Sequence, residues 1–395
     1  MNGVKDAVIE IRRLSPNDGC HYFFGYYDIP AFSKGDAKHL CHRVNFWDRF
    51  PTKNDTCEIG VIDIKSGKWE KLAETGAFNF QQGSMLQWNP QNPGAEIIYN
   101  IRDGDEYRAV IHTIETNNIR TLPRAAANVS RDGKWGISIN FNRVYDFRPG
   151  YGYAGVRDKY YDVPQPRDDG IWIINMETGD ENFILSLEEM GRLFSIDPKE
   201  KLVVNHITFG PDNKRLVFLL RNFPAANKGW LTGLGTIDRE GSNFHLMNPM
   251  SIASHYNWRD DNHLLIWARI NGIGGVHLIT DQNKGEGTSP QSVLLNSDFF
   301  SNDMHCLYSP DKKYILGDGY PDSEGFRPMY LYNTETKRGI ILLRAKSDPI
   351  ADGDLRSDLH SRWSRSGTLV SFDSTHEGYR GLYLIDLTDI LRNKI

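Results

Sequence analysis

The chain has 395 residues, a formal net charge of −5, 25% charged and 12% aromatic residues, and a mean hydropathy of −0.51. That composition is globular rather than disordered or fibrous, and the acidic balance argues against nucleic acid as a partner held through overall charge. No stretch approaches the roughly 18 apolar residues of a membrane span, and MNGVKDAVIEIRRLS lacks a signal peptide's apolar core. The expected location is therefore cytoplasmic, or periplasmic or secreted if a leader has been removed, with no membrane contact.

In chain order, VKDAVIEIRRL (4–14) comes first and has no neighbouring strands of its own. A motif then recurs seven times, in which a short apolar stretch runs into a tight polar turn and a second apolar stretch. The copies are AFSKGDAKHL (31–40), QWNPQNPGAEII (87–98), NVSRDGKWGI (128–137), TFGPDNKRLV (208–217), NWRDDNHLLI (257–266), LYSPDKKYIL (307–316) and RWSRSGTLVS (362–371). The residues just before the turns are Phe32, Trp88, Val129, Phe209, Trp258, Tyr308 and Trp363, at intervals of 56, 41, 80, 49, 50 and 55 residues. Strand–turn–strand texture repeating every 40–50 residues or so predicts a β-propeller, one sheet per repeat.

Each turn joins a blade's inner strand A to its strand B. Strands C and D follow, as in CEIGVIDI (57–64) and GKWEKLAE (67–74). Blade 7 runs short after GLYLIDL (381–387), and the N-terminal stretch supplies what it lacks. The expectation is an all-β, seven-bladed propeller of four-stranded antiparallel blades, with 1–395 as one domain and the ring closed by 4–14 in blade 7. Blade 3 carries an insertion, 143–169, with five tyrosines, four arginines and no helix or strand pattern. A loop of that length is a candidate lid, although its tyrosines can equally pack it onto the blades. Cys20, Cys41, Cys57 and Cys306 form no CxxC pair and read as free thiols, with a Cys41–Cys57 bridge left open.

Three residues before the marker, blades 4 to 7 place His206, His255, His305 and His360, where blades 1 to 3 have Ile29, Met85 and Ala126. A fixed offset on strand A gives one height and one facing, so four imidazoles are expected on one side of the channel. A histidine at such a position can also serve as an interblade hydrogen bond. Two or three at one height can instead bind a transition metal. Strand B ends carry Arg43, Arg102, Arg143, Arg221, Arg269, Asp318 and His376, predicting an arginine-rich rim suited to a carboxylate or sulfate.

With these features, and with HYFFGYYD (21–28), QQGSMLQWNP (81–90), NHITFGPD (205–212) and LHSRWSRSG (359–367) followed by STHEG (374–378), the chain resembles the seven-bladed propeller polysaccharide lyases. These are the oligogalacturonate lyases and the ulvan lyase group, with a rhamnosidase family on the same scaffold. The resemblance implies β-elimination in an acidic, uronate-containing oligosaccharide, with a divalent metal (Mn, Zn or Ca). It implies His255 as base and Arg221 as the catalytic arginine, with His305 and His360 as metal ligands. Tyr151 is a further catalytic candidate; Arg269, Arg102, Arg167, Tyr153, His206 and Arg362 are candidate substrate contacts. Ser357 and Arg362 replace the first and last members of the family's Gln-x-x-His-x-His metal segment, and Gln81 and Gln82 stand where the ulvan lyase group has a histidine. The related rhamnosidases lack that histidine as well, which keeps His21 a candidate. The rival readings are a rhamnosidase-like hydrolase and a non-catalytic propeller that binds a glycan or protein.

Overall fold

A computed structural model of the chain describes residues 9–224, 229–281, 291–348 and 353–392. Within them lie seven antiparallel sheets of four strands each, arranged as the blades of a propeller. The innermost strands are His21–Phe23, Gln87–Trp88, Asn128–Val129, Leu202–Phe209, Ala253–Asp260, Met304–Tyr308 and Arg362–Trp363.

The recurring turn is built by a side chain. The serine that opens it accepts a hydrogen bond from a backbone N–H five residues on: Lys38 to Ser33 (3.0 Å), Trp135 to Ser130 (3.0 Å), Tyr314 to Ser309 (3.0 Å) and Leu369 to Ser364 (3.1 Å). In five of the blades the turn contains a left-handed residue, Asp36, Gly133, Asn213, Lys312 or Gly367. The residue before the turn is buried in every copy and packs one blade against the next. Trp88 shows how, donating its indole N–H to the Ala31 carbonyl of blade 1 at 2.9 Å.

The ring closes as the sequence predicts. Arg12–Arg13 pairs with Tyr383–Leu384 as the outer strand of blade 7, and the Leu14 N–H donates to the Leu382 carbonyl at 2.8 Å. Residues 4–8 of the expected closing strand lie outside the described residues. All four cysteines are free, so no Cys41–Cys57 bridge forms.

The blade 3 insertion departs from the sequence expectation because it begins with a helix, Phe141–Phe147, capped by the Asn140 side chain. Its sequence, FNRVYDF, is aromatic rather than rich in helix formers, so tertiary contacts stabilise it. Arg143 is the anchor: it is 1% exposed, pairs with Asp158 at 3.0 Å and donates to the carbonyls of Leu202, Val163 and Pro164. No helix among the described residues is long and apolar enough to cross a membrane.

Truncating the chain to start at Ser15 exposes the edge of blade 7. We expect thermal unfolding to move down by more than about 5 °C, read by circular dichroism. An unchanged midpoint would contradict closure by this strand.

Candidate functional site at the channel

The site begins with a break in a strand. His21–Phe23 pairs with His42–Val44, and the sheet resumes only at the Phe32–His39 bridge. Between them the chain turns into the channel. Gly25 allows this, since its φ is +128° and a Cβ there would lie 2.8 Å from the Gln82 backbone. A buried ion pair fixes the departure. Arg362 and Asp373, each 1% exposed, meet at 2.5 Å; Asp373 accepts the Phe24 N–H (3.2 Å) and Arg362 donates to the Gly25 carbonyl (3.2 Å). Tyr26, Tyr27 and Asp28 are thereby delivered to the centre of the ring.

The four register histidines gather around these tyrosines. Ring centres lie 4.9 Å apart for Tyr26 and His206, 5.1 Å for Tyr26 and His360, 5.2 Å for Tyr27 and His305, and 6.0 Å for Tyr27 and His255. His255 and His305 are 3.9 Å apart, and His305 and His360 4.4 Å. His206 bonds Asp28 at 2.7 Å. His360 differs from the others in preceding its strand, with φ at +42°, a conformation rarely adopted by a residue with a side chain.

Asp318 holds that conformation. It is 1% exposed and accepts from His305 Nδ1 (3.1 Å), the His360 N–H (3.2 Å), the Ser361 N–H (3.0 Å) and the Ser361 hydroxyl (3.0 Å). Burial works against its charge, but His305 and His360 hold its carboxyl down to about 2. His305 bonds Asp318 through Nδ1, and both His305 Nε2 and His360 Nε2 are buried without a partner among the described residues. One atom each of His305, His360 and Asp358 lie within 4.8 Å of one another. Burial opposes the Asp358 charge too, yet Arg356 and Arg327 keep its carboxyl well below the usual range. Two orphaned imidazole nitrogens beside an ionised carboxylate form a donor set that fits a divalent first-row metal.

Beside this cluster opens a cleft of about 330 Å³, lined by Tyr26, Tyr151, His255, Asp303, Tyr320, Trp230 and three arginines. Arg148 pairs with Asp354, and Arg356 with Asp358 at 2.9 Å. Arg221 is 7% exposed and has no carboxylate partner among the described residues; its Nε and Nη1 make no hydrogen bond. Burial, then repulsion from Arg148, pulls it down to about 10. His255 bonds Asp303 through Nδ1 at 3.2 Å, and burial followed by repulsion from His305 lowers it to about 4. Its imidazole is therefore neutral near pH 7.

The structure thus brings together His255, Arg221, Tyr151, His206, His305 and His360. It places five of the expected substrate contacts outside the cleft. Arg362 faces away from the cleft and is committed to Asp373 and Gly25. Tyr153 is fully buried, stacked on Phe141 at 4.5 Å and bonded to Asn100 at 2.9 Å, so it packs the insertion onto the blades. Arg269 lines a separate cavity with Met247 and Asn271. Arg167 is exposed beside Asp168. Arg102 lies against Gly155 and Gly76, also outside the cleft.

The expected arginine rim does not form. Arg43 pairs with Asp18 and Glu58, Arg143 is buried in the insertion, and His376 packs on Tyr383. Arg143 belongs to the insertion helix rather than to a strand B, and Arg43 is held by acidic neighbours that an offset along the chain does not reveal. The working cations Arg148 and Arg356 come instead from the insertion and from the loop before blade 7.

Tyr26, Asp28, Asp303 and Asp358 enter the site without having been assigned a role in it from the sequence, and Asp318, expected only at the rim, accepts from both His305 and the His360 N–H. Gly25 in an otherwise aromatic run was the available signal for Tyr26, and the DLH tripeptide for Asp358.

These features define a propeller with a charged, partly unsatisfied channel mouth. Its structure is similar to that of an oligogalacturonate lyase from Vibrio parahaemolyticus, with a TM-score of 0.66 and 15% identity over 97% of this chain and 94% of that one. It is also similar to an oligogalacturonate lyase in complex with manganese, with a TM-score of 0.64 and the same identity and coverage. The tricorn protease aligns at 0.52 and 11% identity, over 98% of this chain but 35% of that one. At such identities the likeness shows a shared fold. No protein-family profile and no curated sequence matches the chain.

Replacing Arg221 with Met removes an unpaired buried cation, so thermal stability should be no lower than wild type. A midpoint lower by more than about 5 °C would reveal an internal partner and contradict the reading of Arg221 as waiting for a ligand.

Proposed function

We propose that this chain is an enzyme that cleaves a uronate-bearing oligosaccharide by β-elimination in the channel cleft. The observation that carries the reading is Arg221, a desolvated guanidinium without a counter-ion among the described residues, in the same cleft as a neutral buried histidine. A buried cation without a partner is costly unless a ligand neutralises it, and a carboxylate matches its donor fork. The similarity to structures of oligogalacturonate lyases favours a uronate as the source of that carboxylate.

In this reading Arg221, with Arg148 beside it, neutralises the substrate carboxylate and makes the adjacent C–H acidic. His255 takes that proton at Nε2, its Nδ1–H being held by Asp303. Tyr151, its ring 4.2 Å from the Arg148 guanidinium, forms a wall against which a sugar ring can pack. His305, His360 and Asp358 would hold a divalent metal, Asp358 standing in for the family's missing ligands. Such an ion supplies further positive charge where the carboxylate gathers electron density.

The test is the ultraviolet absorbance of an unsaturated uronate released from short oligogalacturonates. Wild type should generate it, and Arg221→Met and His255→Gln should each lose about 10²–10³-fold in kcat/KM. Substrate consumed without that absorbance would instead support a hydrolase, and no turnover or loss of binding in either variant would support a binding propeller. Separately, elemental analysis of untagged protein should find near-stoichiometric transition metal in wild type and little in His305→Ala or Asp358→Asn. Equal metal in all three would contradict the ligand assignment.

A further inference from the structure

We infer that Tyr26 is the general acid of the elimination, delivering its phenolic proton to the leaving oxygen while His255 takes the carbon-bound one. The assignment rests on the reading of the cleft as an eliminating site and adds to it the second proton transfer.

Five tyrosines stand near the centre, and their hydroxyls have different fates. Tyr27 is committed twice, donating to the Tyr256 carbonyl (2.7 Å) and accepting the Tyr256 N–H (3.0 Å). Tyr153 is held by Asn100 under the insertion. Tyr151 sits 3.5 Å from Gln81 Oε1 and 3.4 Å from Arg356 Nη2. Tyr320 is at the rim, 38% exposed. Tyr26 alone of the five combines burial, at 4% exposed, with a wall position in the cleft and a hydroxyl that makes no hydrogen bond among the described residues. It shares that wall with His255 and Arg221, the groups proposed to hold and deprotonate the substrate.

The fold also constrains this residue closely. Gly25 turns the chain against the Gln82 backbone, Arg362 and Asp373 clamp Phe24 and Gly25 from behind, and the rings of His206 and His360 flank the phenol edge-on. A donor aimed at a reacting atom has to be held in this way, because misplacement by an ångström is costly.

The step balances. His255 Nε2 accepts the proton from the carbon next to the carboxylate, and the C–H electron pair becomes the new C=C bond. The β C–O bond breaks with its pair on oxygen, and Tyr26 protonates that oxygen. His255 then carries one proton more and Tyr26 one fewer, and both are restored through solvent. Burial pushes the Tyr26 phenol well above its ordinary value, so it is protonated at neutral pH, as an acid must be.

The test is Tyr26→Phe, which keeps the ring and its packing, assayed with two leaving groups. One substrate is a uronate glycosidically linked to another sugar, whose alkoxide needs a proton; the other carries an aryl oxide, which leaves without one. The expected result is a kcat lower by about 10²–10³-fold for the sugar leaving group, with KM little changed and only a few-fold loss for the aryl substrate. Thermal midpoint and bound metal, measured alongside, should match wild type. Equal losses on both substrates, or no loss on either, would overturn the assignment while leaving the elimination reading in place. A wild type that releases no unsaturated product from either substrate would overturn both.

Discussion

The ion pair between Arg362 and Asp373 is the constraint on which the centre of this molecule depends. It lies where blade 7 meets blade 1, out of water, and both partners use their remaining hydrogen-bonding capacity on the backbone of Phe24 and Gly25. Without that clamp the aromatic segment would continue as a regular inner strand, its side chains packed between sheets. With it, Tyr26, Tyr27 and Asp28 leave the sheet and fill the channel, and the four histidines of blades 4 to 7 gain neighbours. Breaking one partner of a buried pair is far more disruptive than never having had it, so an arginine first read as a ligand acts through the loop it holds.

Buried arginines elsewhere in the molecule show what is unusual about the cleft. Arg143, Arg327, Arg215 and Arg362 each meet a buried aspartate. Arg380 lacks an ion pair but lies over the rings of Phe23 and Phe80, drawn by Asp373 and bonded to the Phe80 carbonyl. Arg221 has no such compensation: its strongest charged neighbour is the repelling Arg148, and the Trp230 ring is 5.9 Å away. His305 and His360 each have a buried nitrogen without a partner among the described residues, and both lie beside Asp358. Arg221, without a carboxylate among the described residues, and the two histidines beside Asp358 thus lie close together at the cleft.

The sequence showed the architecture clearly because a propeller writes its period into the chain. The polar turn, opened by serine in four of the blades, and the bulky residue before it are local chemistry repeated along the chain, and the short seventh blade is read from the same count. The histidine register was legible for the same reason, a constant offset on a constant strand. What could not be read was long-range. Asp318 reaches across to His360 from the neighbouring blade, and Arg148 meets Asp354 over more than half the chain. Tyr153 and Tyr151 are two residues apart in one loop, yet one is packed underneath it and the other faces the cleft. The rim was misplaced because Arg43 is drawn to Asp18 and Glu58 and Arg143 folds into the insertion helix, partners that no offset along a strand reveals.

The most direct measurement is calorimetric binding of an unreactive uronate disaccharide analogue and of its methyl ester. If Arg221 waits for a carboxylate, the acid should bind on the order of 10–100-fold more tightly than the ester, the span expected for a charged hydrogen bond, and Arg221→Met should abolish the difference. Equal affinity of wild type for acid and ester would contradict the claim that this cleft is built around a negative charge.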